Sequence, residues 1–133
     1  MPKPPLPSEL DAFLREPNPA TTSTLKPDGA PLSVATWYLW ENGRALVNMD
    51  HSRARLEHLR QDPRVSLTVL DGKDWYRHVS LHGNVVSIEP DEGLHDIDRL
   101  SQLYRGAPYR NRDSPRHSAW IEVERWHAWK PHS

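Results

Sequence analysis

Two hydrophobic periods alternate along the chain. Val65-Ser66-Leu67-Thr68-Val69 alternates strictly, which predicts a strand with one buried and one polar face. Ala119, Ile121 and Val123 alternate in the same way with Trp120, Glu122 and Glu124 and predict a last strand. Three further strand-like runs come earlier. Ala20 to Leu25 is rich in β-branched residues, Pro31 to Trp40 carries Val34, Thr36, Trp37, Tyr38 and Leu39, and Arg44 to Met49 follows. Lys26-Pro27-Asp28-Gly29-Ala30 and Glu41-Asn42-Gly43 are the turn sequences between them. From Trp75 to Ile88 runs an unusually long strand, with Gly83 placed for a bulge or sharp bend.

Helical spacing appears three times. Leu10, Phe13 and Leu14 form an apolar side behind Ser8 as N-cap, closed by Pro17 and Pro19. Ala54, Leu56 and Leu59 define a helix of about two or three turns, capped by Asp50 or Ser52 and stopped by Pro63. Pro90-Asp91-Glu92 opens a third, with Leu94, Ile97, Leu100 and Leu103 or Tyr104 on one stripe and Gly106 as its stop. The order is three strands, a short helix, two strands, a helix and a strand. It predicts a mainly β, α+β fold, a small antiparallel barrel with helical covers, because a doubly wound sheet needs strands and helices in regular alternation. Residues 1–7 are proline-rich and are expected to be extended or disordered, and the 133 residues form one domain.

Composition narrows the chemistry. There is no cysteine, which excludes disulfides, thiolate metal sites and a thiol nucleophile. Lys+Arg is 17 against Asp+Glu 18, a net charge of -1, so no global basic field points to nucleic acid and any anion binding is local. No apolar run approaches the roughly 20 residues that span a bilayer, and no signal-peptide core follows the first residues; a cytoplasmic protein is expected. Six Trp against one Phe is an odd balance, compatible with ordinary core packing, with a ligand pocket or with a subunit contact.

The short helix holds the main candidate site. Arg53 and Arg55 fall in its first turn, where the helix dipole favours acids and disfavours cations. Either both lie on a solvated face, or an anion docked on the free amides resolves the conflict, with the arginines adding forked donors. The eight histidines predict no metal site: His78 and His82 share a strand face but lie about 13 Å apart, and His51 and His58 sit at opposite ends of the helix. Gly-x-Ser-x-Gly, Gly-x-Gly-x-x-Gly and Walker sequences are absent, and Glu122 and Glu124 beside Arg125 read as a solvated edge.

Five runs in register carry a resemblance. They are Leu25-Lys26-Pro27-Asp28-Gly29-Ala30-Pro31, Trp37-Tyr38-Leu39-Trp40-Glu41-Asn42-Gly43, Ser52-Arg53-Ala54-Arg55 continuing through Leu59-Arg60-Gln61-Asp62-Pro63-Arg64-Val65-Ser66-Leu67, Tyr76-Arg77-His78-Val79-Ser80-Leu81-His82-Gly83, and Tyr104-Arg105-Gly106-Ala107-Pro108-Tyr109. Together they resemble the pyridoxamine-phosphate-oxidase-like split-barrel family, in its branch that uses flavin or the deazaflavin coenzyme F-420. The resemblance spans about Ala20 to Trp129. It implies a homodimer of six-stranded split barrels with two cofactor sites at the subunit interface.

The resemblance also implies roles. The family's phosphate-gripping positions fall on Arg53 and Arg55, with Ser52 adding a hydroxyl. The backbone of Val34, Ala35, Thr36 and Trp37 lies along the tricyclic ring, although the family often has proline where Ala35 stands. Trp75, Tyr76 and His78 wall the pocket, or simply pack in their strand. The cofactor carries the hydride, which for F-420 leaves carbon five of the reduced ring, and Tyr76 or His78 is the candidate proton donor. F-420 has an anionic lactyl-oligoglutamate tail that FMN lacks, and Arg60, Arg77 and Arg110 or Arg112 are candidate extensions of a basic track. The expected function is F-420-dependent hydride transfer to a small unsaturated or quinone-like substrate. An FMN-dependent oxidase or reductase and a non-catalytic cofactor-binding protein are the alternatives.

Overall fold

The computed structural model describes residues 1–129. An N-terminal arm leads into helix α1 (Ser8–Leu14), with Glu9 and Asp11 in its first turn and Phe13 and Leu14 buried. Pro7, not Ser8, holds the N-cap position: its carbonyl accepts the amides of Leu10 and Asp11, both at 3.0 Å, and no side chain caps the helix. The arm is tied down, since the Trp126 amide donates to the Pro2 carbonyl (3.0 Å) and the Trp126 indole to that of Lys3 (3.2 Å).

Strands β1 (Ala20–Leu25) and β2 (Pro31–Thr36) form the expected hairpin, in which Leu25 faces Pro31. Gly29 turns it at φ 86°, and the Asp28 carboxylate accepts the Ala30 amide. Strand β3 (Leu39–Glu41) pairs with β4 (Arg44–Asp50) through Asn42 and Gly43, at φ 54° and 72°, the left-handed pair that a two-residue hairpin turn requires. The run from Pro31 to Trp40 is therefore two strands, and the sheet has seven where six were expected. The break has a tertiary cause. Trp37 stacks on Tyr104, while Tyr38 turns inward, is 1% exposed and donates its hydroxyl to the Leu14 carbonyl at 2.7 Å.

Helix α2 (Ala54–Gln61) buries Leu56 and Leu59 and stops one residue short of Pro63, with Asp62 already extended. Strand β5 (Arg64–Leu70) buries Val65, Leu67 and Val69 in strict alternation. Strand β6 (His78–Pro90) begins later than Trp75, and its register slips at Gly83, the expected bulge. A short 3-10 turn (Glu92–Leu94) leads into helix α3 (His95–Arg105), which buries Ile97 and Leu100 and ends on Gly106 at φ 71°. Strand β7 (Arg116–Trp129) completes the sheet and is longer than its alternating segment.

All pairings are antiparallel, in the order β2-β1-β5-β6-β7-β4-β3. The sheet is open, with β2 and β3 at its edges. Its inner face and α1 enclose one core built on Leu14, Tyr38, Met49, Leu67, Leu81 and Ile121. Among the described residues no helix is long and apolar enough to cross a membrane.

Candidate functional site

A cleft of about 540 Å³ opens where the end of β2, the start of α2, one side of α3 and the start of β7 converge. That volume is within the range of small-molecule sites, about 300–1,000 Å³. Its aromatic wall is organised by the break between β2 and β3. Trp37 stacks on Tyr104 with ring centres 5.3 Å apart and planes 13° from parallel, and Tyr109 meets Trp37 edge-on at 6.3 Å. The Tyr104 hydroxyl donates to the Asn18 carbonyl at 2.7 Å and accepts the Tyr38 amide at 3.3 Å. Burial pushes the Tyr104 phenol up to about 12, and it pushes Tyr38 higher still. Tyr104 is therefore a fixed part of the wall, its hydroxyl tied to Asn18 and Tyr38.

The polar side of the cleft is cationic. Arg55 and Arg116 line it, and no carboxylate does. Arg55 is half-buried and, among the described residues, has no carboxylate at ion-pair distance; the same holds for exposed Arg53 beside it. Desolvation, then the charges of Arg53 and Arg116, hold the Arg55 guanidinium below its usual value. Arg116 is held by its neighbours. Its Nε donates to the Asn48 side-chain carbonyl at 2.7 Å, its Nη1 to the Tyr109 hydroxyl at 3.3 Å, and its Cζ lies 4.8 Å from the Tyr109 ring centre.

Four of the residues singled out from the sequence meet in this cleft: Ala35, Thr36, Trp37 and Arg55. Val34 is half-buried on β2 opposite Thr22, outside the lining. Ser52 and Arg53 are exposed just before α2. The expectation that Asp50 or Ser52 caps α2 is not met. The Asp50 carboxylate instead accepts the Ser52 amide (2.9 Å) and hydroxyl (2.7 Å), and these bonds hold its carboxyl down at about 2. Trp75 and Tyr76 stack on each other at 4.1 Å in the exposed turn before β6. His78, whose Nδ1 lies 3.1 Å from the Tyr76 carbonyl, lines a different groove with Phe13, Trp126 and Trp129. One chain does not bring these three to the cleft.

Of the further basic positions, Arg60 pairs with Glu57, Arg77 with Asp71 and Arg112 with Asp98, and neither these nor Arg110 line the cleft. Asn48, Tyr104, Tyr109 and Arg116 were not assigned to the site from the sequence. Tyr104 and Tyr109 stand in a run that carries the family resemblance, which was the available signal; Asn48 and Arg116 gave none.

A family model for pyridoxamine 5'-phosphate oxidase matches residues 6–130. The chain belongs to the pyridoxamine 5'-phosphate oxidase family. Solved structures similar to this chain share its fold. An F-420 reductase, 22% identical, superposes with a TM-score of 0.83 over 92% of this chain and 98% of its own. A conserved hypothetical protein of Mycobacterium tuberculosis, 25% identical, does so at 0.71 over 98% and 92%. General stress protein 26 of Bacillus anthracis, 18% identical, gives 0.72 over 94% of each chain. A comparison with curated proteins finds no match.

Proposed function

We propose that the protein is an oxidoreductase that uses coenzyme F-420 as hydride donor to a small unsaturated or quinone-like substrate, with the cofactor in the Trp37–Tyr104–Arg55 cleft. The observation that carries this reading is the half-buried Arg55 guanidinium, without a carboxylate, in a cleft that it lines together with the stacked Trp37 and Tyr104 rings. A cation partly removed from water calls for an anion, and the wall offers a flat apolar surface to a ring. The two features fit a ring that ends in a phosphate. The likeness to an F-420 reductase favours the deazaflavin over FMN.

The bound deazaflavin supplies the hydride, and the protein supplies position and charge. Arg55, with Arg53 beside it, holds the anionic group. Ala35, Thr36 and Trp37 flank the ring, and Val34 sets the strand that carries them. Ser52, released from Asp50, adds a hydroxyl. The Tyr104 hydroxyl stays bonded to the Asn18 carbonyl, and Tyr76 or His78 would give the proton that follows the hydride. In this reading the protein is a homodimer, and the Trp75–Tyr76–His78 segment of one copy walls the cleft of the other.

Titration of the purified protein with F-420 and with FMN, followed by fluorescence anisotropy, tests the cofactor. F-420 is expected to bind selectively, and Arg55→Ala to weaken it about tenfold or more, since a hydrogen bond to a charged group is worth about 1.5–3 kcal/mol. Selective FMN binding replaces the reading with an FMN-dependent oxidase or reductase, and binding of neither overturns it. Tyr76→Phe and His78→Ala are expected to slow turnover at nearly unchanged cofactor affinity; turnover at the wild-type rate in both removes them as donors.

A further inference from the structure

Arg55 and Arg116 reach the cleft from different elements, α2 and β7, and bring two positive charges to a lining that contains no carboxylate. Several other arginines of the chain are neutralised locally. Arg15, Arg60, Arg64, Arg77, Arg99 and Arg112 each pair with an Asp or Glu. Two like charges facing one partly dehydrated space repel each other, and the cleft itself holds nothing that offsets the repulsion.

Arg116 is also fixed in a way a solvated arginine is not. Asn48 is 5% exposed, and its amide nitrogen donates to Asp91 Oδ2 and Ser118 Oγ, both at 3.0 Å. With both amide protons used, its carbonyl is left to face Arg116 Nε. Ser118 in turn donates to Asp96 Oδ2 at 2.7 Å. The chain of bonds thus runs from the start of α3 across β4 and β7 to one guanidinium. Of the five N–H groups of Arg116, two go to Asn48 and Tyr109 and the others have no protein acceptor among the described residues. A guanidinium oriented in advance loses little freedom when it grips an oxyanion.

We infer that Arg116 is the second arm of an oxyanion grip, holding with Arg55 the anionic group of the bound cofactor, and that Asn48 and Tyr109 are the positioning residues that aim it. This inference rests on the cofactor reading above.

The test compares ligands with and without the anion: FMN against riboflavin, and F-420 against its phosphate-free deazaflavin chromophore. Arg116→Gln is expected to weaken the phosphate-bearing member about tenfold or more and the phosphate-free member less than twofold. Asn48→Ala is expected to reduce the same preference, and Tyr109→Phe serves in its place if circular dichroism shows Asn48→Ala to be unfolded. A purely structural role weakens both members equally, and that outcome, or an unchanged preference, overturns the grip while leaving the cofactor reading standing. If the wild type binds no ring, the cofactor reading fails, and thermal unfolding with inorganic pyrophosphate decides the grip alone. A rise in Tm that Arg116→Gln abolishes supports it; a rise that survives in Arg116→Gln, or none in the wild type, overturns it.

Discussion

Gly83 shows how strictly a single position is fixed. At the bulge of β6, a Cβ on this residue would run into the Glu122 carbonyl oxygen of β7, a backbone atom that cannot move aside without breaking the pairing. Gly83→Ala is therefore expected to cost about 1–3 kcal/mol in urea unfolding, as overpacking does elsewhere; an unchanged midpoint refutes the close approach. Asp50 gives a prediction in pH. Its folded value, about 2, lies below the ordinary 3.8 because the Ser52 amide and hydroxyl favour the carboxylate. Its contribution is thus complete above about pH 4 and is lost as the pH falls through 2. The stability difference between wild type and Asp50→Asn, followed by acid titration, should vanish across that window and be flat above it. Residues with a local anomaly could be picked out from sequence. Arg55 stood out because a cation in a first helical turn is locally misplaced. Arg116 carried no such mark, since it meets Asn48 only through the β4–β7 register that sets Arg116 opposite Asp50 and Ser118 opposite Asn48.

Elements were legible where local chemistry ends them. Pro63 stops α2, Gly106 stops α3 in the left-handed region, and Asn42-Gly43 closes the β3–β4 hairpin. The split between β2 and β3 was hidden, because Trp37 and Tyr38 continue an apolar run and leave it only for partners far along the chain, Tyr104 and Leu14. The start of α3 was hidden for a related reason. Gly93 and Leu94 both take left-handed backbone, φ 64° and 58°, and this turn lets the buried Asp91 carboxylate accept the Asp96 amide at 2.8 Å and the Ile97 amide at 2.9 Å. Asp91 thus caps the helix from outside it and holds Asn48 with the same oxygen that takes the Ile97 amide. Asp91→Ala is expected to destabilise the protein by about 1–3 kcal/mol, through the lost cap and the unpaired Asn48 amide. The cost is expected to be non-additive with Asn48→Ala, because the two share one network. Additive urea midpoints in the double variant would separate the cap from the cleft.

For the whole molecule, a net charge of -1 leaves no long-range field to gather anionic ligands, so recognition falls to the few cations at the cleft. The open sheet leaves a second task undone. Trp75 and Tyr76 are 61% and 54% exposed, and they stack on each other instead of on the core; Trp129, 52% exposed, lies opposite His78. Single exposed aromatics are ordinary, but large flat side chains gathered around one strand end are the composition of interface centres. None of them lines the cleft of its own chain, whereas the family resemblance implies that this segment walls a cofactor site between subunits. In the proposed homodimer each copy would lend its aromatic turn to the other. Sedimentation equilibrium is then expected to give twice the 15.4 kDa of the chain, and Trp75→Asp to shift the mass toward the monomer and weaken cofactor binding with it. The coupling of the two losses is the discriminating result. A monomeric wild type overturns the shared site, and a monomeric variant that binds cofactor as the wild type does places the aromatic turn in the interface but outside the pocket.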